Sequence, residues 1–158
     1  MHIKTILLAA ALMLPGLASA QQARPPYGPA ISLEDARKVI AAAEAEARKN
    51  NFTMVITVLD SNAHIVAMVR MDGTQLGSIQ VAEGKARTAV EFKRPSKEIE
   101  DGIAAGGIGL RFLGMPVIPV EGGELLLSGG RIVGSVGVSG GTSVQDGQVA
   151  RAGVAAIK

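Results

Sequence analysis

Two short apolar runs separated by a turn place the strongest constraint on how this chain can fold. Residues 53–60 read TMVITVLD and residues 64–71 read HIVAMVRM, with Ser61-Asn62-Ala63 between them. Aliphatic and β-branched residues in runs of this length predict strands, and the intervening residues predict the turn of a hairpin. Because both runs are apolar nearly throughout, we expect the sheet to be covered on both faces or by another subunit.

Helical patterns flank this hairpin. Residues 32–35, Ser-Leu-Glu-Asp, have the capping-box pattern, and apolar residues then recur at helical spacing up to a predicted end near Asn50. A second helical pattern opens at Ser78 and is closed by Pro95, after which Ser96 is predicted to cap a short third helix.

The C-terminal third of the chain predicts strands and a last helix. Residues 116–120 could begin a strand. Pro119 would confine that strand to the edge of the sheet or to a bulge. Residues 124–128 and 131–139 predict a hairpin around Gly129-Gly130, and Ser143 and Asp146 have capping-box spacing before a terminal helix. The resulting order, α-β-β-α-α-β-β-β-α, predicts one α/β layered domain with a mainly antiparallel sheet.

The N-terminal segment predicts export. Lys4 precedes an apolar run, Pro15-Gly16 ends it, and Ala18-Ser19-Ala20 fits a signal peptidase site. We therefore expect a signal peptide at residues 1–20, cleaved after Ala20, and a periplasmic or secreted protein with no membrane span after cleavage. A flexible Pro-rich leader at residues 21–30 and a single domain at residues 31–158 would follow.

Composition excludes several classes of protein. The chain has no Cys and no Trp, and its 16 basic and 14 acidic residues are interspersed, so nucleic acid is not expected as a partner. An exported domain without disulfides must be stabilised by its hydrophobic core or by association with other subunits. We therefore expect a homo-oligomer.

His64 is the one imidazole of the predicted mature chain. Its position at the hairpin turn is typical of an exposed or turn-bonded histidine. The alternative is an axial or inter-subunit metal ligand, and the possible second donors are Tyr27, Met54, Met68 and Met71.

Two segments could bind an anion. The glycine-rich residues 137–143 precede a helix, but without a P-loop lysine a tight strand-to-helix turn is favoured. Lys85 and Thr88 share one helical face, where they could converge with Arg70 on a carboxylate. In the alternative, Arg70 would pair with Asp72 or Glu83, and Lys85 would pair with Glu83 or Asp101.

Several motifs together resemble one known family, the haem-binding proteins that include the glycolate-operon G protein, a secreted streptomycete haem-binding protein and the C-terminal domain of the propanediol-utilisation O protein. The similarity covers residues 30–157 in order. The matching motifs are Ala30–Ala36, Val58–Asp60, His64–Val66, Arg70–Gly73, Gly84–Ala89, Glu121–Gly123 and Gly134–Gly141.

The resemblance implies a profilin-like α/β/α sandwich around a five-stranded, mainly antiparallel sheet, which assembles into oligomers. It also implies haem as cofactor or ligand in some members. The matching positions are Lys85, Thr88 and Ser96, and with Arg70 they form the predicted ligand site for haem or another anionic small molecule. His64 is the candidate metal ligand.

Two other functions compete with this hypothesis. An enzyme that degrades haem or acts on a small hydroxy acid would need an acid–base pair, for which Asp60, Asp72 and Glu83 are candidates by proximity alone. A structural or sensory partner of a membrane receptor would need an exposed apolar patch. We expect a binding protein rather than an enzyme.

Overall fold

The computed structural model describes residues 23–157. The predicted signal peptide and its cleavage site lie outside these residues. The helices are α1 (Leu33–Lys49), α2 (Ser78–Phe92), α3 (Ser96–Ala104) and α4 (Ser143–Val154), and a 3₁₀ segment spans Gly107–Gly114. The strands are β1 (Val55–Asp60), β2 (Ile65–Arg70), β3 (Gly123–Ser128) and β4 (Arg131–Ser139). Both predicted hairpins and all four predicted helices are confirmed.

The described strands form one antiparallel sheet in the order β2-β1-β4-β3. Helices α1 and α4 pack together on one face, and α2 packs on the other face over β4, β1 and β3. The larger core lies on the α1/α4 side and includes Ile56, Val58, Val136 and Val138, all of which are fully buried. The prediction of a layered α/β domain is therefore confirmed.

The prediction of a fifth strand at residues 116–120 is wrong for this sheet. Pro116 and Pro119 lack the backbone N–H that a strand ladder needs. The segment instead crosses α2, where Ile118 packs on Gly84 and its backbone N–H donates to Thr88 Oγ1 at 2.8 Å.

Two predicted helix caps differ from those observed. Thr142, not Ser143, caps α4, and it forms a capping box with Gln145. This choice frees Asp146 to turn inward. Pro95 is the N-cap of α3, so Ser96 is the first helical residue, and its hydroxyl bonds elsewhere. At α1 the predicted cap is confirmed, because Ser32 Oγ accepts from the Asp35 N–H at 3.1 Å.

The described part of the leader lies along the sheet. The backbone N–H of Ile132 donates to the Pro26 carbonyl, and the N–H of Gly28 donates to the Ile132 carbonyl. The Tyr27 hydroxyl donates to the Val90 carbonyl at 2.8 Å, near the end of α2. These bonds tie residues 26–28 to both β4 and α2.

Candidate functional site

Lys85 forms a buried ion pair in the middle of the molecule. Its Nζ lies 2.7 Å from Asp146 Oδ2 and also donates to the Val138 carbonyl at 3.2 Å. Both side chains of the pair are at most 3% exposed. A buried ammonium needs such partners because desolvation strongly disfavours an unpaired charge.

The backbone closes around this ion pair. Gly122 adopts φ +124°, and a Cβ at this position would lie 2.8 Å from the Val138 oxygen and 3.1 Å from Lys85 Nζ. Asp146 Oδ1 accepts the Gly141 N–H at 3.0 Å. Burial raises the pKa of Asp146 above its ordinary value, and the hydrogen bonds from Lys85 and Gly141 oppose this rise.

Thr88 and Ser96 hold the segment that crosses α2. Besides the Thr88 bond to Ile118, Ser96 Oγ donates to the Val120 carbonyl at 2.7 Å and accepts the Gly123 N–H at 2.9 Å. Both residues are almost completely buried. Their polar atoms are therefore engaged by the chain itself, and direct contact of Lys85, Thr88 or Ser96 with a ligand stays a prediction.

Arg70 lies apart from these three residues. In the sheet, Arg70 is opposite Val55 on β1, and Val55 is opposite Ser139 on β4. The Ser139 hydroxyl donates to the Ser78 hydroxyl at the start of α2. Residues directly opposite one another in a ladder share a face, so Arg70 lies on the α2 side of β2. Its side chain is exposed and forms no ion pair within residues 23–157.

The α2 side of β2 is largely uncovered, since α2 packs over the other three strands. By the same register, Met68 lies on this side opposite Thr57, and Ile65 lies there opposite Leu59. Ile65 is half exposed and Met68 is partly buried. We call the surface formed by Ile65, Met68 and Arg70 the open face.

Thr57 borders the open face with an unsatisfied polar group. Its side chain is fully buried, and Oγ1 has no hydrogen-bond partner in the described part of the chain. On the other side of Thr57, Gly137 lies directly against the α2 backbone. A buried hydroxyl without a hydrogen-bond partner costs free energy of folding, so Thr57 is an unfavourable feature at the border of the open face.

His64 lies at the turn end of the open face. Its side chain is 80% exposed, and Nδ1 is 3.9 Å from Asp60 Oδ2. Asp60 Oδ1 accepts the N–H groups of Asn62 and His64, so this carboxylate organises the turn. The position leaves His64 accessible, and its role as a metal ligand stays a prediction.

The other candidate donors and acids are dispersed. Met54 and Met71 belong to the core on the α1/α4 side. Asp72 is exposed, and Glu83 pairs with Arg87 on α2 at 3.1 Å. Within residues 23–157, no group of three or more His, Asp or Glu side chains is arranged to hold a metal ion. Among the helices of residues 23–157, none combines the length and the apolar character that a membrane span requires.

Most of the described chain matches the model of one known family. The model of the family described as "Haem degrading protein HbpS-like" matches residues 31–155. The chain belongs to the HbpS-like family. This match confirms the family that the sequence motifs indicate.

The chain is also similar to individual proteins, two of which have solved structures. The protein GlcG of Escherichia coli K12 is 38% identical over 110 residues, which are 69% of this chain and 81% of GlcG. A double mutant of HbpS from Streptomyces reticuli superposes with a TM-score of 0.75 at 28% identity, covering 96% of this chain and 99% of that one. A structure described as a PduOC:Heme complex has a TM-score of 0.74 at 31% identity, covering 82% of this chain and 96% of that one.

Within the HbpS-like fold of this chain, the partner of Lys85 is the feature that sequence reasoning missed. In the alternative to a ligand site, sequence proximity pairs Lys85 with Glu83 or Asp101, whereas its partner in the structure, Asp146, is 61 residues away. The favoured tight turn is present at residues 140–142, between β4 and α4, where a Cβ on Gly140 would lie 2.1 Å from the Thr53 oxygen. The Gly141 N–H in this turn is already bonded to Asp146.

Proposed function

We propose that this chain is an exported haem-binding protein, homo-oligomeric in its functional form, that holds haem against the open face. The observation that supports this most directly is the similarity to a relative whose structure is a complex with haem. That relative is 31% identical and aligns with 82% of this chain.

The residues of the open face fit the chemistry of haem. Haem combines a large apolar ring with two propionate carboxylates at one edge. Ile65 and Met68 offer an apolar surface, and the exposed guanidinium of Arg70 can donate two parallel hydrogen bonds to a carboxylate.

Two side chains could reach the iron from this face. His64 has an accessible imidazole at the turn end, and Met68 carries a thioether near the centre of the face. Imidazole and thioether are both axial ligands of haem iron in other proteins. Bound haem would supply an iron centre, and His64 or Met68 would hold it.

Lys85, Thr88 and Ser96 act here as positioning residues. The Lys85–Asp146 pair joins α2 to α4, and Thr88 and Ser96 join α2 and α3 to residues 118–123. Because α2 borders the open face, these contacts fix the helix that flanks the ligand.

A hemin titration of the purified protein, followed by the Soret absorbance, tests the proposal. We expect saturable binding, and we expect Arg70→Gln to weaken it roughly tenfold to a hundredfold, because a charge-assisted hydrogen bond contributes about 1.5–3 kcal/mol. Arg37→Gln is the matched control, since Arg37 is exposed on α1 at the other face of the sheet. Absence of a saturable Soret shift in the unaltered protein would refute haem binding, and equal affinities for the two variants would refute the role of Arg70.

Export is tested separately by the mass of the protein recovered from the periplasm or the medium. The proposal predicts a chain that begins at Gln21. A full-length chain recovered only from the cytosol would contradict it.

A further inference from the structure

A second cavity lies at the C-terminal end of α2 and shares no residue with the open face. Its volume is about 310 Å³, within the range that small-molecule sites usually have. Three segments that are distant in sequence build it: the leader, the turn between β1 and β2, and the end of α2. The leader contributes Tyr27, the turn contributes residues 61–63, and α2 contributes Val90 and Glu91.

The chain's own hydrogen bonds fix the walls of this cavity. The Tyr27 hydroxyl donates to the Val90 carbonyl at 2.8 Å, which holds the leader against α2. In the turn, Asp60 Oδ1 accepts the Asn62 N–H at 2.8 Å, and the Asp60 carbonyl accepts the Ala63 N–H at 3.0 Å. A ligand would therefore enter a preformed site and lose little affinity to the ordering of its walls.

The cavity has a negative electrostatic character. Glu91 is the one charged side chain among the described residues that line it. The last turn of α2 has no basic residue, and the carbonyl groups at a helix C-terminus carry partial negative charge. Burial raises the pKa of the Tyr27 hydroxyl, and the charge of the Glu91 carboxylate raises it further. The carboxylate and the helix end both favour a cationic ligand over an anionic one.

Two cations of the chain lie near the cavity without lining it. Arg87 contacts Glu91 Oε1 at 3.3 Å and Glu83 at 3.1 Å, so its charge is shared between two carboxylates. Glu91 is therefore only partly neutralised, and its Oε2 is available to a ligand. Lys93 Nζ lies 4.2 Å from the centroid of the Tyr27 ring, and this contact shows that the aromatic wall can hold an ammonium group.

We propose that this cavity binds the primary ammonium group of a small organic amine. An ammonium group has three N–H donors, and the cavity offers three kinds of acceptor: the Glu91 carboxylate, the Asn62 amide oxygen and the Ser61 hydroxyl. Ala63 and Val90 give apolar surface on which an alkyl chain can pack. This site is independent of haem binding, since the cavity and the open face have no residue in common.

Isothermal titration calorimetry of the purified protein with 1,4-diaminobutane tests the site, and the neutral 1,4-butanediol is the matched probe. The two compounds have the same carbon chain, so a difference in affinity reports recognition of the ammonium groups. At low ionic strength we expect saturable binding of the diamine, at least about tenfold tighter than any binding of the diol. No saturable binding of the diamine, or equal affinities for the two compounds, would overturn the proposal.

Glu91→Gln removes the carboxylate of the cavity, and we expect it to weaken diamine binding about tenfold. Glu83→Gln is the matched control, because Glu83 also pairs with Arg87 on α2 but does not line the cavity. Its affinity should stay within about twofold of the unaltered protein, since an exposed charge outside the site contributes little. An equal loss in both variants would mean that the charge of α2, not the cavity, attracts the diamine, and would overturn the site.

Asn62→Asp gives a test that misfolding cannot imitate, because a gain of affinity is expected. The backbone N–H at this position keeps its bond to Asp60, and the new carboxylate replaces the amide in the cavity that Glu91 also lines. We expect diamine binding to become about threefold to tenfold tighter at low ionic strength, and this gain to disappear at about 1 M salt. Unchanged or weaker binding by Asn62→Asp at low ionic strength would overturn the proposal.

Discussion

Lys85→Met is expected to destabilise the folded chain by about 3–5 kcal/mol, because it leaves the Asp146 carboxylate buried without its cation. This is a large part of the total stability of about 5–15 kcal/mol that is usual for a domain. The chain has no Trp, so urea unfolding should be followed by far-UV circular dichroism.

The loss should depend on pH in a defined direction. Burial raises the folded-state pKa of Asp146, and removal of Lys85 raises it further. A raised carboxyl pKa contributes stability that is fully present below the unfolded value of 3.8 and is lost as pH rises through the folded value. The difference between wild type and Lys85→Met should therefore be smaller near pH 4 than at pH 7.

Two controls separate the buried charge from other effects. Adding Asp146→Asn to Lys85→Met removes the unpaired charge and should recover most of the lost stability at pH 7. Lys38→Met breaks an exposed ion pair with Asp35 on α1 and should leave the unfolding midpoint close to that of wild type. A pH-independent loss in Lys85→Met would mean that packing, not the charge of Asp146, is responsible.

Gly137→Ala is the second substitution with a large expected effect, a loss of about 3 kcal/mol in the free energy of unfolding. A Cβ on Gly137 would lie 2.0 Å from the Ala82 oxygen and 2.6 Å from the Ala86 nitrogen. These are backbone atoms of α2, so the whole helix would have to move away from β4.

Gly102→Ala is the matched control for this prediction. No atom lies within 4 Å of the Cβ that this change adds in α3, and Gly102 has no left-handed φ. Its expected effect in the same urea experiment is a gain of about 0.4–1 kcal/mol. If Gly137→Ala were as stable as Gly102→Ala, the close contact of α2 with β4 would be contradicted.

Local patterns in the sequence were sufficient to predict most elements of the fold. The hairpin at residues 53–71 and the cap at Ser32 depend on neighbours in sequence, and the structure has both. The strand predicted at residues 116–120 failed because the backbone of that segment bonds to Thr88 and Ser96, which are distant in sequence. Two capping-box patterns also overlap at residues 142–146, and only the structure shows that Thr142 is the cap.

The candidate site was harder to predict for the same reason. The sequence motifs single out Lys85, but spacing cannot predict its buried pair with Asp146, because 61 residues separate the partners. The sequence prediction groups Arg70 with Lys85, whereas the register of the sheet places Arg70 on the open face, beside Met68 and Ile65. The edge position of β2 follows from strand order, which local patterns do not determine.

Native mass spectrometry of the protein mixed with hemin tests the central claim most directly, because it reports haem content and chain number in one measurement. We expect haem to be retained by an oligomer of the chain, and we expect Arg70→Gln to lower the retained fraction while Arg37→Gln does not. Haem retained equally by single chains would contradict a homo-oligomeric functional form, and haem that is absent, or retained equally by Arg70→Gln and Arg37→Gln, would contradict binding at the open face.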